Sequence, residues 1–236
     1  MTISTKLIQF MVAKEDGDQA YYEKTEEHWD WPGGASGPTA GCGYDCGYVT
    51  PAELRTDWTG IVDDETIKQM LRGQGIVGTR AHMFVIGNRT DITITWAQAM
   101  AEFTQREVPK WEMRTRMALP NFDLLSPDCQ GALVSLSYNR GTAGYASPLP
   151  RFKEMVAIRQ LMVQGRWPMI PPQIASMIRL WPNEKGLRDR RVQEAQLFAE
   201  GLGECQALQS TGSTSALAQS SSSPPASATV PSNSTT

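Results

Sequence analysis

Apolar positions along most of this chain recur every three or four residues, the spacing that turns one face of a helix toward a core. Leu7, Ile8, Phe10 and Met11 form such a face behind Thr5, a candidate cap, and this first helix frays out at Gly17. From Pro51 onward the pattern is mainly helical. Pro51 suits a first helical turn with Thr50 as its cap. The stretch Thr95–Met117 has helical spacing with a break or kink at Pro109. Ser126 caps a helix that ends at Gly141, Met155 to Val163 reads as another, and a last helix runs from Leu187 to Leu202. Residues 29–50 interrupt the pattern. Six Gly and two Pro in those 22 positions forbid a long helix and predict tight turns with short strands.

These elements predict an α+β domain, predominantly α, with a small Gly-rich β segment after the first helix and a helical C-terminal lobe. Residues 1–205 read as one unit. Residues 206–236 hold no charged and no aromatic side chain, and 10 of those 31 positions are Ser. Such a segment buries too little apolar surface to offset the entropy of ordering, so a disordered tail is expected.

Composition narrows the function classes. The 236 residues carry 22 Lys+Arg against 25 Asp+Glu, a net charge of −3, which argues against a strongly basic nucleic-acid binder. No apolar run approaches the roughly 18–20 residues of a membrane helix, so no membrane insertion is expected. The N-terminal stretch lacks a basic region followed by an apolar one, and synthesis in the cytoplasm without a signal peptide is the expectation. Two His cannot build a multi-histidine metal site, and neither lies beside a Cys in sequence as a nucleophilic pair would suggest. Cys42 and Cys46 lack a second pair to complete a zinc set, and they read as small apolar packing residues. No metal and no cofactor are expected.

Carboxylates are the better candidates for chemistry. Glycoside cleavage needs one protonated acid for the leaving oxygen and one ionised carboxylate to activate water or attack. Glu15 ends the first helix, near Tyr21, Tyr22, Trp29 and Trp31, where burial against rings would raise its pKa. Asp45 lies in the Gly-rich loop beside Tyr44, where backbone N–H groups can keep it ionised. Gly residues there let a ligand approach the backbone closely.

The stretch SGPTAGCGYDCG, Ser36 to Gly47, resembles the S-G-V-T-x-G-x-G-Y-D-x-G motif of pesticin-like muramidases, relatives of the phage lysozymes in glycoside hydrolase family 24. Four further segments are similar, in the family's order. Glu15 is followed seven residues later by Tyr22; Trp31-Pro32-Gly33-Gly34 precedes the loop; GALVSLSYNRG resembles the central helix; and KGLRDRRVQEAQLF resembles the C-terminal one.

The resemblance implies a lysozyme-like fold and an N-acetylmuramidase cutting the β-1,4 bond between N-acetylmuramic acid and N-acetylglucosamine, with inversion. It implies Glu15 as general acid, with Thr39 and Asp45 holding the attacking water. Asp30 is the reserve second carboxylate. Tyr22, Trp31, Tyr44, Asn139 and Arg140 are candidate substrate contacts. Arg190 and Arg191 read more simply as ion partners of Glu194 at helical spacing, and Trp58, Trp96, Trp111, Trp167 and Trp181 as core or semi-core residues. The implied partner is bacterial peptidoglycan, met in the periplasm or cell wall by a monomer delivered through a phage holin or a bacterial secretion machine. Pro38, Cys42 and Cys46 depart from the family pattern. Two alternatives stay open: a degenerate sugar-binding homologue, and a chitinase- or chitosanase-like hydrolase on the same fold.

Overall fold

The structure, a computed structural model, describes residues 8–12 and 18–219, the last sixteen of these by their backbone alone. It is predominantly helical with one small antiparallel sheet. Helix α1 covers 8–12 and α2 covers Gln19–Thr25. The hairpin β1 (Thr39–Ala40) and β2 (Tyr44–Asp45) follows, pairing Thr39 with Asp45 and Ala40 with Tyr44. Asp30 extends the ladder through a backbone bridge to Thr39. Thereafter the chain is helical: α3 (Pro51–Trp58), α4 (Asp64–Gly73), α5 (Thr79–Asn88), α6 (Trp96–Glu102), α7 (Val108–Ala118), α8 (Pro127–Arg140), α9 (Lys153–Val163), α10 (Ile170–Ser176) and α11 (Lys185–Gln219).

The helix starts follow from local chemistry. Thr50 and Glu53 close a capping box ahead of Pro51. Thr95 and Gln98 do the same for α6. The Ser126 hydroxyl accepts the Cys129 N–H, and α8 ends at Gly141 with φ 74°. Helix α2, capped by Asp18, has no counterpart in the sequence expectation. Thr5, Leu7, Glu15 and Gly17, on which the expected first helix also rests, lie outside the described residues. At the other end, α11 carries helical backbone through Gln219, past the boundary expected at residue 205.

Two apolar clusters underlie the architecture. The larger joins α7–α11 around Leu133, Leu136, Ile158, Ile174 and Phe198. The smaller gathers Trp29, Tyr44, Leu54, Trp58, Met70 and Ile94 beneath the hairpin. Trp96 packs against both. Cys42 and Cys46 are both fully buried, but Cys42, at the hairpin tip, enters the larger cluster and Cys46 the smaller. The tip can dock because Gly41 has no side chain: with φ 55°, a Cβ there would lie 2.9 Å from the Trp58 ring. Packing of α8 on α11 includes a polar element. The Glu194 carboxylate accepts from Ser135 Oγ at 2.6 Å, Arg191 at 2.7 Å and Arg190 at 3.3 Å, all fully or nearly buried. These are the helical ion pairs that the spacing predicts.

Pro109 has a structural answer. The expected break takes the form of one π-helical turn, Phe103–Glu107, between α6 and α7, with the Val108 N–H donating to the Phe103 carbonyl. Proline offers no N–H and its ring crowds the carbonyl four residues back, and the wider turn relieves both.

Deleting buried apolar volume should cost far more than trimming the surface. Leu133→Ala, at a fully buried position of α8, is expected to lower stability by about 2–5 kcal/mol. Met117→Ala, at an 81 % exposed position, should stay within about 0.5 kcal/mol. Urea denaturation monitored by circular dichroism reads both.

Candidate active site

The second strand of the hairpin forms one wall of a cleft of about 370 Å³, and α7 and the end of α8 form the other. Tyr44, Asp45 and Tyr48 stand on the first wall; Glu107, Lys110, Trp111, Arg114, Tyr138 and Asn139 stand on the second. The rings of Trp111 and Tyr138 meet edge to face at 5.7 Å. Asn139, in the last turn of α8, has a buried Oδ1 with no hydrogen-bond partner among the described residues. An aromatic wall with one unused amide acceptor suits a ligand with apolar faces and N–H or O–H donors.

Asp45 is held by the backbone of its own loop. Its carboxylate accepts the Gly37 N–H at 3.0 and 3.1 Å through its two oxygens, and the Gly47 N–H at 2.9 Å. Gly37 is required by space, since a Cβ would fall 2.4 Å from Asp45 Oδ1 and 2.5 Å from the Gly47 backbone. Burial raises the Asp45 pKa above the ordinary carboxylate value, and the Gly37 and Gly47 N–H groups oppose that rise. Thr39 faces Asp45 in the hairpin register. Its hydroxyl donates to the Gly37 carbonyl at 3.3 Å, so both side chains converge on the backbone of one residue. The hydroxyl oxygen keeps its acceptor capacity. Pro38 fits this arrangement: its ring rests where a Cβ on Gly73 would meet it at 3.3 Å, and its carbonyl accepts the Cys46 N–H.

Below this wall lies a cluster of charge that the sequence reading did not single out. Asp57, from the end of α3, accepts from Tyr44 Oη at 2.9 Å and from Lys110 Nζ at 2.9 Å. Lys110 also meets Glu107 at 2.5 Å, and Glu107 accepts the Trp111 Nε1–H at 2.7 Å. Burial works against the Lys110 charge, but Glu107 and Asp57 outweigh it and hold the pKa above the ordinary lysine value. Glu102 is fully buried behind them. Burial, then the charge of Glu107, pushes its carboxyl well above the carboxylate range.

The sequence-predicted residues divide. Tyr44, Asp45 and Asn139 line the cleft, and Thr39 lies beside Asp45 with its side chain buried. Glu15 lies outside the described residues. Five others are placed elsewhere. Tyr22 is fully buried, its hydroxyl donating to the Ile94 carbonyl and its ring against Trp96, so it is a core residue and not a sugar contact. Trp31 donates its Nε1–H to the Ser36 carbonyl and stacks on His82 at 4.5 Å, away from the cleft lining. Trp29, one of the rings expected near Glu15, is buried edge-on to Phe84. The Arg140 guanidinium lies 5.0 Å from the Phe152 and Trp181 rings and donates to the Arg151 carbonyl; burial lowers its pKa to about 10. Asp30 lies 3.9 Å from Arg89 and does not line the cleft. Trp111, read as semi-core, is half-buried and also lines the cleft.

No protein-family model matches the chain, and no curated protein matches it. Among the described residues, no helix is long and apolar enough to cross a membrane.

The raised Asp45 pKa has a measurable sign. The folded state binds this proton more tightly than the unfolded chain, so ionisation of Asp45 costs folding stability as pH rises through the folded pKa. Asp45→Asn removes that cost. Thermal denaturation should show the variant gaining on wild type as pH rises above the ordinary aspartate pKa.

Proposed function

We propose that this chain is a glycoside hydrolase acting on bacterial peptidoglycan, a muramidase with a lysozyme-like fold. The observation that carries the reading is Asp45, a carboxylate pinned by the Gly37 and Gly47 N–H groups, opposite Thr39, on the wall of an aromatic-lined cleft. The motif resemblance around these residues and the small sheet set against a helical lobe support the same assignment.

The chemistry follows from the donors and acceptors. A water placed between Thr39 and Asp45 can donate one hydrogen to Thr39 Oγ1, whose own hydrogen is committed to Gly37, and the other to the Asp45 carboxylate. Its lone pair then points away from both, toward a bound sugar's anomeric carbon. As the C1–O4 bond breaks, the water oxygen bonds to C1, its proton passes to Asp45, and Glu15 protonates the departing O4. Attack by water on the face opposite the leaving group inverts the anomeric centre. Tyr48, Trp111 and Tyr138 offer ring surfaces for the sugar faces, and Asn139 Oδ1 an acceptor for an N-acetyl N–H. Peptidoglycan is a polymer of the cell wall, so the site of action is the periplasm or wall of the target bacterium.

Mass spectrometry of peptidoglycan digested with wild type, Glu15→Gln and Asp45→Asn tests the reading. Wild type should release muropeptides ending in reducing N-acetylmuramic acid, and each variant should be slower by about 10²–10⁴-fold. Undiminished activity in both variants overturns the residue assignment. Binding to peptidoglycan with no product from wild type favours the degenerate sugar-binding alternative, and faster cleavage of chitin oligomers the altered-specificity one.

A further inference from the structure

The acidic cluster beneath the cleft is built in an unusual way. Asp57, Glu102 and Glu107 each bring a carboxylate oxygen to within 4.8 Å of the other two. Asp57 comes from the end of α3, while Glu102 and Glu107 flank the π turn. Residues five apart diverge on an α-helix; the wider π turn brings them onto one side. Tyr44, Trp111 and Lys110 orient the two outer carboxylates by bonding Asp57 Oδ2 and the Glu107 oxygens.

Glu102 stands apart from this network. It is fully buried, and both its oxygens lack a hydrogen-bond partner among the described residues. A buried carboxylate in that condition is strongly disfavoured unless a cation or a proton accompanies it. Lys110 is already bonded to Asp57 and Glu107. Asp57, Glu107 and Lys110 leave one negative charge, and a divalent cation that displaces the Glu102 proton balances both that charge and the carboxylate it frees. Three carboxylates gathered within 4.8 Å of one another from two segments of chain form an irregular oxygen set, which calcium accepts, whereas magnesium demands near-ideal octahedral geometry and sheds its waters reluctantly.

We propose that Asp57, Glu102 and Glu107 form a binding site for one calcium-class divalent cation that ties the hairpin side of the cleft to its helical side. The ion would bind α3 to the α6–α7 turn behind Tyr44, one residue before Asp45. Its role is structural, and the proposal stands or falls independently of the muramidase reading.

Chelator-treated full-length protein, freed of chelator, tests it by calorimetric titration with calcium chloride and with magnesium chloride, alongside thermal denaturation. Wild type should bind one calcium, at least about tenfold more tightly than magnesium. Its Tm should rise by about 3–6 °C in about 1 mM calcium chloride. Glu102→Gln should abolish the calcium-dependent rise without lowering the calcium-free Tm. Terbium luminescence of the wild type, sensitised by Tyr44 and its neighbours, provides a measurement that needs no variant. Absence of calcium heat and of terbium emission overturns the proposal and leaves Glu102 as a buried protonated acid. A Tm rise undiminished in Glu102→Gln overturns it as well.

Discussion

The cleft depends on the placement of one ammonium group. Lys110 reaches from α7 beneath the hairpin and meets Asp57 at 2.9 Å and Glu107 at 2.5 Å, with only 20 % of its side chain exposed. A cation so placed gives up much of its hydration, and close carboxylates must replace it. That demand fixes α3 against α7, because Asp57 lies in the last turn of the one and Glu107 immediately precedes the other. Asp57 in turn accepts the Tyr44 hydroxyl, and Tyr44 is the residue before Asp45 on β2. The backbone position of Asp45 is thus tied to the helical wall through three side chains, while its carboxylate is oriented locally by Gly37 and Gly47.

This division of labour suits a hydrolytic site. Backbone N–H groups are among the stiffest donors a protein has, and they need no side-chain ordering when the ligand arrives. The two glycines are there for space and reach: a Cβ on Gly37 would occupy the carboxylate's position, and one on Gly47 would strike the Ile76 carbonyl at 2.6 Å. The cleft side chains sit on helices already ordered by the larger apolar cluster, so the ring surfaces of Trp111 and Tyr138 are in place beforehand.

Much of this was legible in the sequence wherever a local rule governs. The Thr50 and Ser126 caps, the Gly141 stop and the spacing of Arg190 and Arg191 from Glu194 depend on neighbours a few residues away, and each appears as expected. The Gly-rich run with Asp45 among backbone donors was legible for the same reason. Tyr22 and Arg140 fall outside the cleft because exposure is a tertiary property. An aromatic residue near a loop in sequence can turn inward, as Tyr22 does to reach Ile94, 72 residues away. The Glu102–Glu107 pairing was invisible to a helical template because the π turn shifts the period there, and only Pro109 hinted at it.

The π turn is therefore more than an accommodation of proline. A regular helix through residues 103–107 would separate Glu102 from Glu107 by more than a third of a turn and send one of them away from Asp57. With the extra residue, both face the same buried point, and Trp111, one turn beyond Glu107, can donate to it from the cleft wall. The cost is three carboxyl groups buried close together, tolerated only where neighbouring cations and donors over-determine the arrangement. Concentrating that cost directly under β2 makes geometric sense, because the same groups that neutralise the cluster also anchor the strand carrying Asp45.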